Sequence, residues 1–251
     1  MTLPAISNYI NVIMTKITTE IISLLKSNGA SLVGFADLSE IPMEARDNFP
    51  FGVSIAVALD PQIIAEIRES PTSRYIKECL RTDALMKKLG QLTLEFLISD
   101  GHRAKQLAVT NKIGSRLPPK LTTKLPHKTI ATKAGLGWIG KTPLLITKQF
   151  GSAARLGSIL TDATFDVNEP INISQCGGCT ACVDACPTSS ITGNKWYAGA
   201  ERDYLLDAYK CRRTARKLVI KKIGEEIIGR TFCGICIYVC PWTQKYLSKV
   251  V

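Results

Sequence analysis

No stretch of this 251-residue chain is apolar for long enough to cross a bilayer as a helix, which takes about 20 consecutive apolar residues. The N-terminus, MTLPAISNYINVIMTK, lacks the basic segment and following apolar run of a secretory signal. These two absences argue against a membrane role and against an oxidising compartment. The chain is therefore expected in the cytoplasm, with its nine cysteines reduced. Negative charge is also short, with 32 Lys and Arg against 21 Asp and Glu, a formal net charge of +11. That excess suits an acidic partner, either an electron donor such as ferredoxin or flavodoxin or a nucleic acid, and it also serves solubility. Aromatic residues make up only 7% of the chain. Around the most basic segment they are Trp196, Tyr197, Tyr204 and Tyr209, which offers little surface for stacking a single strand.

What the chain has is cysteine in a particular order. Cys176, Cys179, Cys182 and Cys186 form C-x2-C-x2-C-x3-C, followed by Pro187. This is the bacterial ferredoxin run, in which three thiolates hold one cubane and the fourth crosses to another. Cys233, Cys236 and Cys240, followed by Pro241, repeat it with one cysteine missing. Cys211 lies between the runs and can supply the missing ligand. Crossing then predicts two 4Fe-4S clusters, one on Cys176, Cys179, Cys182 and Cys240, the other on Cys186, Cys211, Cys233 and Cys236. Tetrahedral zinc on C-x2-C pairs is the plainer alternative, and disulfides are another. Zinc sites seldom show three cysteines at strict x2 spacing before C-P. Cys79 belongs to neither set and reads as a small core residue.

The rest reads as an α+β domain with a central mixed sheet flanked by helices. Helical spacing runs over Ile6–Ser27 and again over most of Pro71–Ser99. Strands are predicted at Ser31–Phe35, Val53–Leu59, Arg103–Val109, Leu144–Thr147 and within Gly151–Thr161, and a helix at His127–Ala134. Thr110–Pro126, with Pro118-Pro119 and many lysines, reads as an exposed loop. The glycines of AGLGWIGK, residues 134–141, allow tight turns or the close approach of something large and flat. The predicted division is residues 1–168 for this domain and 169–251 for a helical, ferredoxin-like double-cluster domain.

The stretch HKTIATKAGLGWIGKTPLLIT, followed by FGSAARLGSILTD and the split cysteine set, resembles epoxyqueuosine reductase and its relatives, the reductive dehalogenases among them. The resemblance is strongest from His127 to Trp242. It implies a nitroreductase-like domain that holds a cobalamin, fed with electrons by the two clusters. It places Gly137, Trp138, Ile139, Gly140, Lys141, Gly151 and Ser152 near the corrin, with a structural turn as the plainer reading of GLGWIGK. It also implies transfer RNA as a possible partner.

Three departures stand against the tRNA reaction. Between Ser115 and Trp138 there is no carboxylate, where epoxyqueuosine reductase carries its acidic proton donor. His127 is the one candidate to replace it, although an exposed histidine at a helix start is the plainer reading. The chain ends at Val251, where that enzyme continues into a helical-repeat tail. SRYIKECL, residues 73–80, replaces its GRDYH-type segment. The reading is an iron–sulfur oxidoreductase passing electrons through two clusters to a corrinoid and an unidentified substrate. The alternative is a non-catalytic, ferredoxin-like electron carrier, with a zinc-stabilised nucleic-acid module a distant third. Lys210, Arg212, Arg213, Arg216, Lys217, Lys221 and Lys222 crowd a predicted helix. They could dock an acidic donor, or offset the negative charge of the clusters and raise their potentials.

Overall fold

Four antiparallel strands carry the N-terminal part of the chain. A computed structural model describes residues 14–108, 121, 123–224 and 232–249. In order come α1 (Lys16–Ser27), β1 (Leu32–Asp37), β2 (Phe51–Ala58), α2 (Pro61–Ala65), α3 (Ser73–Ser99), β3 (Ala104–Gln106) and α4 (His127–Lys133). A two-stranded ribbon follows, β4 (Trp138–Ile139) and β5 (Leu145–Ile146), and then β6 (Ala154–Thr161). The cysteine-rich part holds α5 (Ala181–Asp184), α6 (Arg202–Leu205), α7 (Ala208–Ile223), α8 (Ile235–Tyr238) and α9 (Pro241–Leu247). The predicted helix start at 6–13, the last residue of the Arg103–Val109 strand and most of the lysine-rich loop lie outside the described residues.

The α+β class holds, but the sheet is antiparallel rather than mixed, in the order β1-β2-β6-β3. Its spine is the pairing of β2 with β6, which sets Val53 opposite Ile159 and Ile55 opposite Gly157. No described segment makes the strand–helix–strand crossover that brings a parallel strand back into a sheet. The segment after β2 starts α2. The Asp60 carboxylate accepts the Gln62 N–H at 2.8 Å, and Pro61 occupies the first helical turn, where its missing donor costs nothing.

α3 and α1 cover one face of the sheet. Ile21, Leu25, Phe35, Val53, Leu89, Leu97 and Ile159 are buried there, and Phe165 stacks on Phe35 with ring centroids 4.5 Å apart. α4 covers the other face through Ile130, packed on Leu38 and Leu160. Two further apolar groups join the sheet domain to the cysteine-rich part. Leu59, Ile64, Tyr75 and the fully buried Cys79 pack with Val219, Phe232 and Leu247. Trp138, Ile139 and Ile146 pack with Trp196, Leu205 and Cys240. The two parts thus share continuous core, so the cysteines are held rigidly against the sheet. Among the described residues no helix is long and apolar enough to cross a membrane.

Candidate functional site

Both cysteine runs fold the same way. In the first, the chain turns at Cys176–Cys179, where the Cys179 N–H donates to Cys176 O at 3.1 Å. It then makes the single turn of α5, which carries a buried Cys182, and leaves through Cys186-Pro187. In the second, Gly234 takes a left-handed conformation at φ +83°, α8 carries Cys236, and Cys240 precedes the Pro241 that opens α9. α5 packs against α8, so the two short turns face each other.

That packing sorts the eight cysteines into two neighbourhoods. Burial first, then the charges of Cys176, Cys240 and Cys179, pushes the Cys182 thiol up to about 11. Burial, then Cys233 and Cys186, does the same to Cys211, again to about 11. Cys236 is pushed up to about 12 by burial, with Cys233, Cys211 and Cys182 adding to it and Thr142 opposing it. Cys186, Cys211, Cys233 and Cys236 line one cavity of about 160 Å³. Burial also raises Cys233. It raises Cys186 too, but hydrogen bonds with Thr188, Ser190 and Ile191 together outweigh it and lower that thiol. A positively charged centre would displace the remaining protons. Among the described residues, no three Cys, His, Asp or Glu side chains converge closely enough to hold a single metal ion. The donor set, four thiols lining one cavity, and the C-x2-C spacing fit a cubane.

Beside this cavity lies a larger one of about 510 Å³. Its floor is β6 and its rim is the start of α4, the start of α3 and the loop at Pro143–Leu145. Lys128, Pro143, Leu144 and Arg202 line both cavities, so the inner cysteine set is one layer of side chains from whatever the larger cavity holds. The polar lining of that cavity is cationic or neutral: Tyr75, His127, Lys128, Arg155, Arg202, Thr123 and Ser152, without a carboxylate. Arg155 is pinned by a two-pronged pair with Asp83, at 2.9 and 3.1 Å. Burial lowers the Lys128 ammonium to about 8, with Arg202 adding to the effect, while Lys128 Nζ donates to Pro143 O at 3.0 Å. Burial also holds the Tyr75 hydroxyl well above its ordinary value. His127 is half-buried rather than exposed. Its ring nitrogens sit 3.1 Å from Ser158 Oγ and 3.2 Å from Ala108 O, and burial lowers its pKa.

The AGLGWIGK loop, expected from the resemblance to lie near a corrin, packs mainly against protein. Of Gly137, Trp138, Ile139, Gly140, Lys141, Gly151 and Ser152, only Ser152 lines the larger cavity. The glycines do permit close approach, but to protein. A Cβ on Gly137 would collide with Ile146 O, one on Gly140 would sit 2.8 Å from the Ile146 side chain, and one on Gly151 would collide with Thr243. Trp138 has no exposed surface and packs edge-on against Trp242, centroids 5.2 Å apart. Ile139 is buried in the same group. Lys141 Nζ donates to Cys179 O at 2.8 Å. The loop therefore straps the sheet domain to the cysteine runs. Tyr75, Arg155 and Lys128 were not singled out beforehand. Tyr75 shares a helix face with Cys79, four residues on, and that spacing was the only signal, since the cavity forms from segments distant in sequence.

Residues 175–243 match a family model described as a 4Fe-4S double cluster binding domain. An epoxyqueuosine reductase of Prochlorococcus marinus (strain NATL2A) is 33% identical over 137 residues, which is 51% of this chain and 40% of that protein. The chain thus matches less than half the length of that relative. Among solved structures, an epoxyqueuosine reductase with an epoxyqueuosine-modified tRNA-Tyr stem loop superposes with a TM-score of 0.60 at 23% identity. That likeness covers 91% of this chain and 65% of the other. A reductive dehalogenase whose structure suggests a mechanism for B12-dependent dehalogenation superposes with a TM-score of 0.65 at 16% identity, covering 89% of this chain and 31% of that one. At these identities the structural likeness speaks for the fold.

Proposed function

We propose that this chain, which resembles epoxyqueuosine reductases and carries a 4Fe-4S double cluster domain, is an iron–sulfur reductase acting on a ligand in its larger cavity. Cys176, Cys179, Cys182 and Cys240 hold the outer cluster, and Cys186, Cys211, Cys233 and Cys236 the inner one. The observation that carries the reading is the wall shared by the inner cysteine cavity and the 510 Å³ cavity. A carrier with no chemistry of its own has no need of such a cavity. Residues 1–168 form the ligand-holding domain and 169–251 the double-cluster domain. When bound, the clusters would supply one-electron transfer, and a corrinoid, too bulky for about 510 Å³ and so only partly enclosed, would supply a metal centre that such electrons can reduce.

The chain's own residues do the rest. The cavity is of a size that holds organic ligands. Its cationic rim, Lys128 and Arg202, favours a cofactor or substrate bearing an anionic group. With both ring nitrogens engaged, His127 serves to position rather than to donate. Lys128 is the better proton source, because a pKa near 8 leaves it protonated at neutral pH yet readier to give the proton than a surface lysine. Tyr75 keeps its hydroxyl proton throughout that range. The exposed Arg213, Lys217 and Lys221, spaced by four on α7 beside Cys211, suit docking of an acidic ferredoxin or flavodoxin in the cytoplasm.

Anaerobic purification followed by elemental analysis tests the clusters, with about eight iron and eight sulfide expected per chain. Two zinc and no iron would sink the reading. Titration with a corrinoid tests the cavity, a stoichiometric change in its spectrum being expected. In a single-turnover assay on epoxyqueuosine-containing tRNA, little conversion is expected because, among the described residues, no carboxyl group lines the cavity.

A further inference from the structure

Four buried side-chain atoms capable of donating lack a well-formed hydrogen bond among the described residues: Ser54 Oγ, Trp138 Nε1, Arg212 Nη1 and Thr142 Oγ1, the last lying beside the Cys236 thiol, whose pKa it lowers. Two of them, Trp138 and Thr142, belong to one loop, and that loop runs between the two cysteine sets. Trp138 is 0% exposed and packs in the same apolar group as Cys176 and Cys240. Thr142 is 6% exposed and lines the cavity formed by Cys186, Cys211, Cys233 and Cys236. Lys141, between them, ties the loop to the first cysteine run through Cys179 O. Folded proteins leave very few buried donors unpaired, because each has given up its water without replacement. An indole N–H can only donate. A hydroxyl can donate as well as accept. The surroundings that these two donors share with the cysteines would contain sulfur acceptors once the clusters are bound.

We propose that Trp138 and Thr142 are positioning residues that donate hydrogen bonds to cluster sulfurs. Trp138 serves the cluster on Cys176, Cys179, Cys182 and Cys240, and Thr142 the one on Cys186, Cys211, Cys233 and Cys236. Reduction adds negative charge to a cluster and its sulfurs, so each donor stabilises the reduced state and raises the potential of its own cluster. The inference rests on the cluster assignment proposed above. It gives the GLGWIGKT loop a role different from contact with a flat ligand: a single strap adjusts two redox centres, one at each end.

The test is a redox titration, followed by paramagnetic resonance, of the anaerobically purified full chain and its Trp138→Phe, Thr142→Val and Thr142→Ser variants. Iron and sulfide are counted for each. Trp138→Phe is expected to weaken reduction of the outer cluster roughly tenfold, a fall of about 59 mV for one electron, and to leave the inner cluster alone. Thr142→Val should do the reverse, and Thr142→Ser should match the wild type. Wild-type protein grown with 15N-indole tryptophan provides a second readout. It should show nitrogen coupling to a reduced cluster that persists in Trp196→Phe and Trp242→Phe, which keeps the idea testable if Trp138→Phe folds poorly. Full iron with unmoved potentials and no coupling overturns the proposal, as does an equal shift in both clusters from one substitution. A wild-type chain that binds no iron overturns the cluster assignment and this inference with it.

Discussion

The outer and inner cysteine sets offer the same ligands in different surroundings. In the outer set Cys179 is exposed, and a Cβ on either neighbouring glycine, Gly177 or Gly178, would meet nothing within 4 Å. Cys182 and Cys240 of the same set are buried, whereas all four cysteines of the inner set are half-buried and line a cavity backed by Pro143, Leu144 and Ile235 that shares a wall with the larger one. A shared wall is where an electron can leave for a bound ligand. The difference therefore teaches which set is suited to serve the larger cavity, the inner one, whose Cys211 also lies beside the basic face of α7.

The largest effect expected from breaking this arrangement is at the inner set. Cys211→Ala should lose or convert one cluster, leaving about four to seven of the expected eight iron, and should abolish turnover with any electron donor. Cys79→Ala, in the neighbouring core, should keep both clusters and cost only packing, on the order of 1 kcal/mol. Iron analysis and paramagnetic resonance of the reduced variants distinguish these outcomes, and an intact two-cluster signal in Cys211→Ala would refute the ligand assignment.

The glycines on the two sides should differ next. Gly151 sits at φ +57°, and a side chain there would run into Thr243. Gly151→Val is therefore expected to cost 3 kcal/mol or more, roughly the sum of backbone strain and overpacking. Gly177 has a similar φ, +54°, but open space around it, so Gly177→Ala should cost only about 1–2 kcal/mol. Denaturant unfolding of the two variants gives the ratio, and equal losses would show that the loop-to-helix contact at Thr243 is not tight.

Lys128, on the wall between the cavities, should make stability depend on pH. Its folded pKa is about 8 against an ordinary lysine value of 10.5. Between those values the unfolded chain holds a proton that the folded chain has released, so stability rises with pH across that window, by at most about 3 kcal/mol. Below pH 8 the penalty is fully present. Lys128→Met should flatten this rise in melting experiments from pH 7 to 10.5, and an unchanged slope would rule out Lys128 as its source.

The smallest effect is expected on the exposed face of α7. Arg213→Glu with Lys217→Glu should change stability by no more than about 0.5 kcal/mol. It should slow reduction by an acidic ferredoxin or flavodoxin at low salt and leave chemical reduction alone. Rates that ignore both the charge reversal and the salt would place donor docking elsewhere.

Much of the scaffold was legible in the chain. The 3.6-residue spacing of Leu85, Leu89, Leu92 and Phe96 and the apolar run VSIAVAL mark α3 and β2 to within a few residues. Asp60-Pro61, just past the predicted Val53–Leu59 strand, is a helix cap and first turn, a use that the same residue types share with a plain chain stop. The AGLGWIGK loop shows the limit most clearly. Its glycines announce that something comes close, and only the packing reveals that the visitors are Ile146 and the cysteine runs.

By itself the sequence determined which residues can bind iron and sulfide, since thiolates every third residue before C-P are chemistry written locally along the chain. It also determined the elements, because apolar periodicity is local. Only the tertiary structure decided the cavity. Tyr75, Lys128, Pro143, Arg155 and Arg202 come from five separate segments, and nothing in the spacing of any one of them records the others. It also decided that Trp138 is buried without a partner among the described residues and that Thr142 is buried beside Cys236. Burial is a property of what packs around a side chain, so it exists only once the whole chain has folded.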